Sequence, residues 1–206
     1  MSSSVSKNSS SQTSPRQRLS REARQRQLLD VSWKLIRDEG TEALTLGRLA
    51  ELSGVTKPVV YDHFGTRPGL LAALFKEFDA RQTVIMDAAL ERAAPNLTDV
   101  AKVIASSYVD CVLTQGREIP GITAALKGSP ELDKIKHDFE AVFIEKCRHL
   151  LNAFTGAEGV SSAGLWGMLG AAEGLSNAAV NEDIAPAQAK DELYEIIISM
   201  VKRSGN

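Results

Sequence analysis

Twenty residues, Thr45 to Phe64 (TLGRLAELSGVTKPVVYDHF), restrict the possible folds of this chain more than any other stretch. Thr45 suits an N-cap, and Leu46, Leu49 and Ala50 fall on one face at helical spacing. Gly54 supplies the left-handed conformation that ends a helix abruptly. Thr56 then caps a second helix, whose first turn holds Pro58, where a missing N–H costs nothing. Val60 and Phe64, four apart, point back onto the first helix, which Ala50 and Gly54 keep slim at the crossing. Lys57 and Tyr61, also four apart, point outward with Val59, Asp62 and His63 near them. A buried inner face and a polar outer face on the second helix is the layout of a helix-turn-helix that reads a DNA groove.

The rest of the chain repeats the helical period and nowhere alternates as a strand does, so the expected class is all-α. Residues 1–14 are rich in serine and predict a disordered tail. Arg16, Arg18, Arg21, Arg24 and Arg26 lead into a helix that buries Leu28, Val31, Leu35 and Ile36 and ends near Gly40. These arginines either lie along phosphates or cover a solvated helix face. Thr66 caps a longer helix with Leu71, Leu74, Phe75, Phe78, Ile85, Met86 and Ala89 as its stripe, and Pro95 ends it. Further helices are expected from Thr98 to about Gly116, from Ser129-Pro130 to Phe154, over Ser161–Glu182 and over Ala187–Lys202, with a short helical piece at Gly121–Lys127. Leu132, Ile135, Phe139, Val142, Phe143, Leu150 and Phe154 form the stripe of the helix that starts at Ser129-Pro130.

The block from Asp30 to Phe75, above all Gly54 to Phe75, resembles the DNA-binding domain of the TetR/AcrR family of transcriptional regulators. Tyr61, His63, Phe64, Arg67 and Leu70 carry the resemblance, which covers about a quarter of the chain. It implies three parts: a tail over 1–15, a three-helix helix-turn-helix DNA-binding domain over 16–65, and a helical effector-binding and dimerisation domain over 66–206. It also implies a homodimer on a palindromic operator, most relatives being repressors, and release of the DNA by a small effector. The alternative is a helical small-molecule-binding or scaffold protein whose helix-turn-helix no longer functions.

Charge is divided in the sense that a DNA-binding N-terminus requires. Residues 1–81 hold 13 Lys and Arg against 9 Asp and Glu, whereas residues 82–206 hold 11 against 17. Helix starts offer free N–H groups to phosphates, which assigns Thr45, Thr56 and Thr66 to phosphate contact, with Arg48 and Arg67 adding charge. Base reading falls to Lys57, Val59, Tyr61, Asp62 and His63. Lysine donates to guanine and valine packs on a thymine methyl. Asp62 either accepts from a cytosine amine or, the favoured choice, holds Arg67 or His63 in place. His63 either donates to a phosphate or packs inward, and the resemblance makes Tyr61 a backbone-positioning group.

On the Ser161–Glu182 helix, Gly164, Gly167, Ala171, Gly174 and Ala178 form a stripe of small residues. Glycine in a helix costs about 1 kcal/mol relative to alanine, so the stripe suits a close approach by a second backbone. Gly167, Ala171, Gly174 and Ala178, with Ile197 on the last helix, are therefore the expected dimer contact, against the plainer option of intrachain packing. The effector pocket that the resemblance implies is assigned to Met86, Tyr108, Cys111, Phe143, His149, Trp166 and Glu173. Their mostly apolar character suits an aromatic or lipophilic molecule.

No catalytic residue, cofactor or metal is expected. Cys147 and His149 diverge on a helix, and His63, His137 and His149 lie far apart. Cys111 and Cys147 form no pair spaced for a metal or disulfide framework. The N-terminus lacks the apolar stretch of a signal peptide and no segment is long enough to cross a membrane, so a cytoplasmic location is expected.

Overall fold

The computed structural model describes residues 19–118 and 130–204. The serine-rich tail, Arg16, Arg18, the 121–127 piece and Ser129 lie outside the described residues, as does the side chain of Leu132. Among the described residues there are eight α-helices, one short 3-10 turn and no strand. They are α1 (Arg21–Glu39), α2 (Leu46–Ser53), α3 (Lys57–Phe64), α4 (Arg67–Arg92), α5 (Leu97–Glu118), α6 (Pro130–Asn152), α7 (Ser162–Val180) and α8 (Pro186–Arg203). The 3-10 turn, Thr41–Ala43, lies between α1 and α2.

Most ends are where the punctuation places them. Ser20 caps α1 by accepting from the Ala23 N–H, and Ser161 caps α7 through Gly164. The helix after Pro95 starts earlier than Thr98: Asn96 Oδ1 accepts from the Asp99 N–H at 2.9 Å, which begins α5 at Leu97. The last two helices are displaced by one or two residues from the expected 161–182 and 187–202, an ordinary fraying difference.

Two hydrophobic cores organise the chain. In the first, Leu28, Leu35 and Ile36 of α1 meet Leu49 and Ala50 of α2, Val60 and Phe64 of α3, and Leu70, Leu71, Leu74, Phe75 and Phe78 of α4. The second is built on α5, α7 and α8, with Ile104, Val109, Leu165, Met168, Leu193 and Ile197 buried together and α6 adding Ile144, Cys147 and Leu151. Met86, late in α4, belongs to this second core. The early turns of α4 thus belong to the N-terminal core and its later part to the C-terminal one, whereas the sequence places a division just before Thr66. Cys111 of α5 and Ile135 and Phe139 of α6 also pack against the first core, with Phe139 edge-on to Phe75 at 5.1 Å between centroids.

Candidate nucleic-acid interface

Gly54 leaves α2 in the left-handed region (φ 64°, ψ 34°), and the Val55 N–H returns to the Ala50 carbonyl at 3.0 Å. This exit turns the chain directly into α3. Val60 is fully buried and Phe64 nearly so, which fixes the rotation of α3 about its own axis. Lys57 and Asp62 are exposed and Tyr61 is 53% exposed, so the outer face of α3 is free to enter a groove. Gly47 of α2 matters here, because a Cβ there would lie 3.5 Å from Lys57 Cε. The lysine stem crosses α2 over this bare position.

Two helix starts, those of α2 and α4, flank one concavity. Thr45 Oγ1 accepts from the Arg48 N–H and Thr66 Oγ1 from the Gly69 N–H, each at 3.1 Å. Thr56 occupies the N-cap of α3 as expected, yet its hydroxyl takes no capping hydrogen bond. Thr45, Gly47, Tyr61, Gly65, Thr66 and Arg67 surround a concavity of about 400 Å³ between the starts of α2 and α4 and the end of α3. Gly69 permits the tight entry to α4, since a Cβ there would lie 2.1 Å from the Phe64 carbonyl oxygen. The two N-cap threonines, Thr45 and Thr56, give a direct comparison. Thr45→Ala should cost about 1 kcal/mol of stability and Thr56→Ala less than about 0.5 kcal/mol. Denaturant midpoints measure both, and equal losses would contradict the capping geometry.

The arginines are more committed than their positions in the sequence suggest. Arg67 donates from Nε to the Leu44 carbonyl and from a terminal nitrogen to the Thr41 carbonyl, both at 2.9 Å, and so ties the 3-10 turn to α4. Arg48 pairs with Glu39 at 3.1 Å and Glu51 at 3.7 Å. Asp62 holds neither Arg67 nor His63. Its partner is Arg21, at the start of α1, which donates to Oδ2 at 2.7 Å and to the Asp62 carbonyl at 3.1 Å. His63 is partly buried beside Phe64. Desolvation, then the charge of Arg21, lowers its pKa, so the ring is neutral at physiological pH. Val59 is half-buried.

The residues assigned to an effector do not form one group. Tyr108 and Phe143, 5.3 Å apart between centroids, line a closed apolar crevice, too tight for a water molecule, with Ile104, Met168, Leu193 and Ile197. Periodicity marks those four as apolar but carries no sign that they share a crevice. Met86 is buried in the same core but does not line the crevice. Cys111 packs toward the N-terminal core. His149 is exposed, and Trp166 stacks on His137 at 5.6 Å on the outside of α6 and α7. Glu173 pairs with Lys136 at 2.8 Å, and Lys136 also pairs with Glu140. Burial, reinforced by Glu173, raises the Tyr108 pKa, so its hydroxyl stays protonated. Burial likewise pushes the Cys111 and Cys147 thiols up to about 12. Neither is a nucleophile at neutral pH. Among the described residues no cluster of His, Cys, Asp and Glu could hold a metal ion.

The small-residue stripe of α7 divides between two surroundings. Gly164 faces its own chain, since a Cβ there would lie 3.2 Å from Met200 Cγ and Sδ. Gly167 and Gly174 have nothing within 4 Å of an added Cβ, and Ala171 and Ala178 are half-buried beside them. Ile197 is fully buried in the C-terminal core and lies on no outer face.

Residues 28–74 match the family model described as bacterial regulatory proteins, tetR family. A search of the curated proteins finds no match. Similar solved structures include a transcriptional regulator from Rhodococcus sp. Rha1 (15% identity, TM-score 0.66, covering 88% of this chain and 98% of that one). The fatty acid degradation regulator FadR from Bacillus halodurans is similar at 14% identity and TM-score 0.64, covering 84% and 97%. A TetR-family transcriptional regulator from Streptomyces coelicolor is similar at 16% identity and TM-score 0.61, covering 89% and 97%. At these identities the likeness is one of fold, and it extends over both cores.

Proposed function

We propose that this chain, a DNA-binding regulator of the tetR family, is a ligand-responsive repressor that binds a palindromic operator as a homodimer. The observation that carries this reading is the division of α3: Val60 and Phe64 lock it onto the N-terminal core while Lys57, Tyr61 and Asp62 stand in solvent. Lys57 donates to guanine O6 and N7, Val59 contacts a thymine methyl, and Tyr61 positions the helix against the backbone. The N–H groups and hydroxyls at Thr45 and Thr66 hold phosphates around the concavity, those at Thr56 hold a phosphate at the start of α3, and His63 adds a neutral donor. Arg48 and Arg67 add positive potential while holding their own protein partners.

One such module contacts few bases, so a two-fold dimer that places two α3 helices about 34–36 Å apart is the expected assembly. The open glycines of α7 support a close contact there, with Ala171 and Ala178 on its flank. Among the described residues no helix is long and apolar enough to cross a membrane, and the proposed place of action is the cytoplasm.

The crevice at Tyr108 and Phe143 is the proposed effector entry. It is too tight to hold even one water molecule, against the roughly 300 Å³ of an ordinary ligand pocket. A ligand must therefore spread α5, α6, α7 and α8 to enter, which couples its binding to helix movement. Full relief of repression requires it to favour the spread state by about 5.5 kcal/mol. Selection of bound sites from random DNA with the purified chain tests the whole reading. Recovery of inverted half-sites spaced about one helical turn apart is the expected result, and a pool with no enriched sequence refutes it.

A further inference from the structure

Arg21 occupies the first turn of α1, where the positive end of the helix dipole disfavours a cation. Its position there breaks a local rule, and a broken local rule calls for a compensating contact. That contact is Asp62, 41 residues away in α3, engaged twice. The Asp62 carbonyl is among the last four of α3, which have no partner within the helix. Arg21 therefore caps the reading helix at its C-terminal end and places its charge where that dipole favours it. The second nitrogen holds Oδ2, while Oδ1 has no hydrogen-bond partner among the described residues, and the carboxylate remains 68% exposed. A bare carboxylate between Tyr61 and His63 would be repelled by DNA phosphates. Paired with arginine it is close to neutral and fixed in direction.

Resting on the DNA-binding reading above, we propose that Arg21 is a positioning residue which presents Asp62 Oδ1 to the groove as an acceptor for a cytosine N4 amine. Aspartate accepting from cytosine is an established pairing of side chain and base edge. Arg21 stays with Asp62 in the complex and is not itself a phosphate ligand. The pair thus sets specificity rather than bulk affinity.

The test uses the full chain and the best site recovered from random DNA, with single-base changes at each C·G pair, followed by fluorescence anisotropy over a salt series. At one C·G pair, Asp62→Ala and Arg21→Ala should each erase a discrimination of about tenfold or more. The double variant should lose no more than either alone, and the salt slope should stay at the wild-type value. Arg21→Lys keeps the charge but loses the two-pronged geometry, and it should behave like Arg21→Ala. Thermal melts confirm that each variant is folded. Three outcomes overturn the proposal: a slope flattened by about 0.9 in Arg21→Ala with discrimination intact, the mark of a lost phosphate contact; losses that multiply in the double variant; or no C·G position that depends on Asp62. If instead the wild-type chain selects no sequence at all, the DNA-binding reading itself fails.

Discussion

Replacing Lys57 and Tyr61 together by alanine should abolish selective operator binding while leaving a folded chain. Both side chains project from the outer face of α3, and neither contributes to the buried core. A base-edge contact is worth about 1–3 kcal/mol, so losing Lys57 and the positioning contact of Tyr61 should remove about 2–5 kcal/mol. That corresponds to roughly 30- to 5,000-fold weaker binding to the selected site. Non-specific binding should fall far less, because phosphate contacts around Thr45 and Thr66 are untouched. Titration of operator and scrambled DNA at one salt concentration gives the ratio directly, with circular dichroism as the control for folding. Unchanged operator affinity in a folded double variant would remove the assignment of α3 as the reading helix.

Phe78→Ala should destabilise the fold severely, by about 3–5 kcal/mol. Phe78 is fully buried in the N-terminal core although it lies well along α4. The Arg81 guanidinium spans it and Trp33, 5.5 Å and 5.6 Å from the two ring centroids. The Trp33 Nε1–H donates at 2.6 Å to Glu77, the residue before Phe78. The truncation therefore opens a cavity under the seam that joins α1 to α4. A domain is stable by only about 5–15 kcal/mol, so the loss is a large fraction of the whole. DNA binding should weaken as the reading helix loses its support. Chemical denaturation measures the loss, and a variant within about 1 kcal/mol of the parent would show that this part of α4 is not a working part of the core.

These two predictions differ in how far the sequence alone supports them. Lys57 and Tyr61 face outward because Val60 and Phe64 face inward, a relation contained within one helix and therefore visible in its spacing. The same holds for the caps at Thr45 and Thr66 and the exit at Gly54, since each depends on residues at most five positions away. Contacts between elements are different. Nothing in local spacing links Arg21 to Asp62, Trp33 to Glu77 or Arg67 to the Leu44 carbonyl, because those pairs depend on how helices cross. For the same reason periodicity marks Ile197 as apolar without saying whether it faces its own chain or another. The stripe of α7 is legible as small, yet only packing against Met200 separates Gly164 from Gly167. Thr56 has the right residue type at the right place, but residue type cannot fix the rotamer that leaves its hydroxyl uncapped.

The 26 residues of α4 form a shaft about 39 Å long at 1.5 Å per residue. Its two ends are gripped by different sets of neighbours, Leu70 to Phe78 on one side and Met86 on the other. Tilting such a shaft by about 5° at the Met86 end carries the far tip through about 3 Å, close to the roughly 3.4 Å rise between stacked bases. On the proposed DNA-binding reading, a movement of that size along α4 is enough to put the fingertip of α3 on the wrong rung.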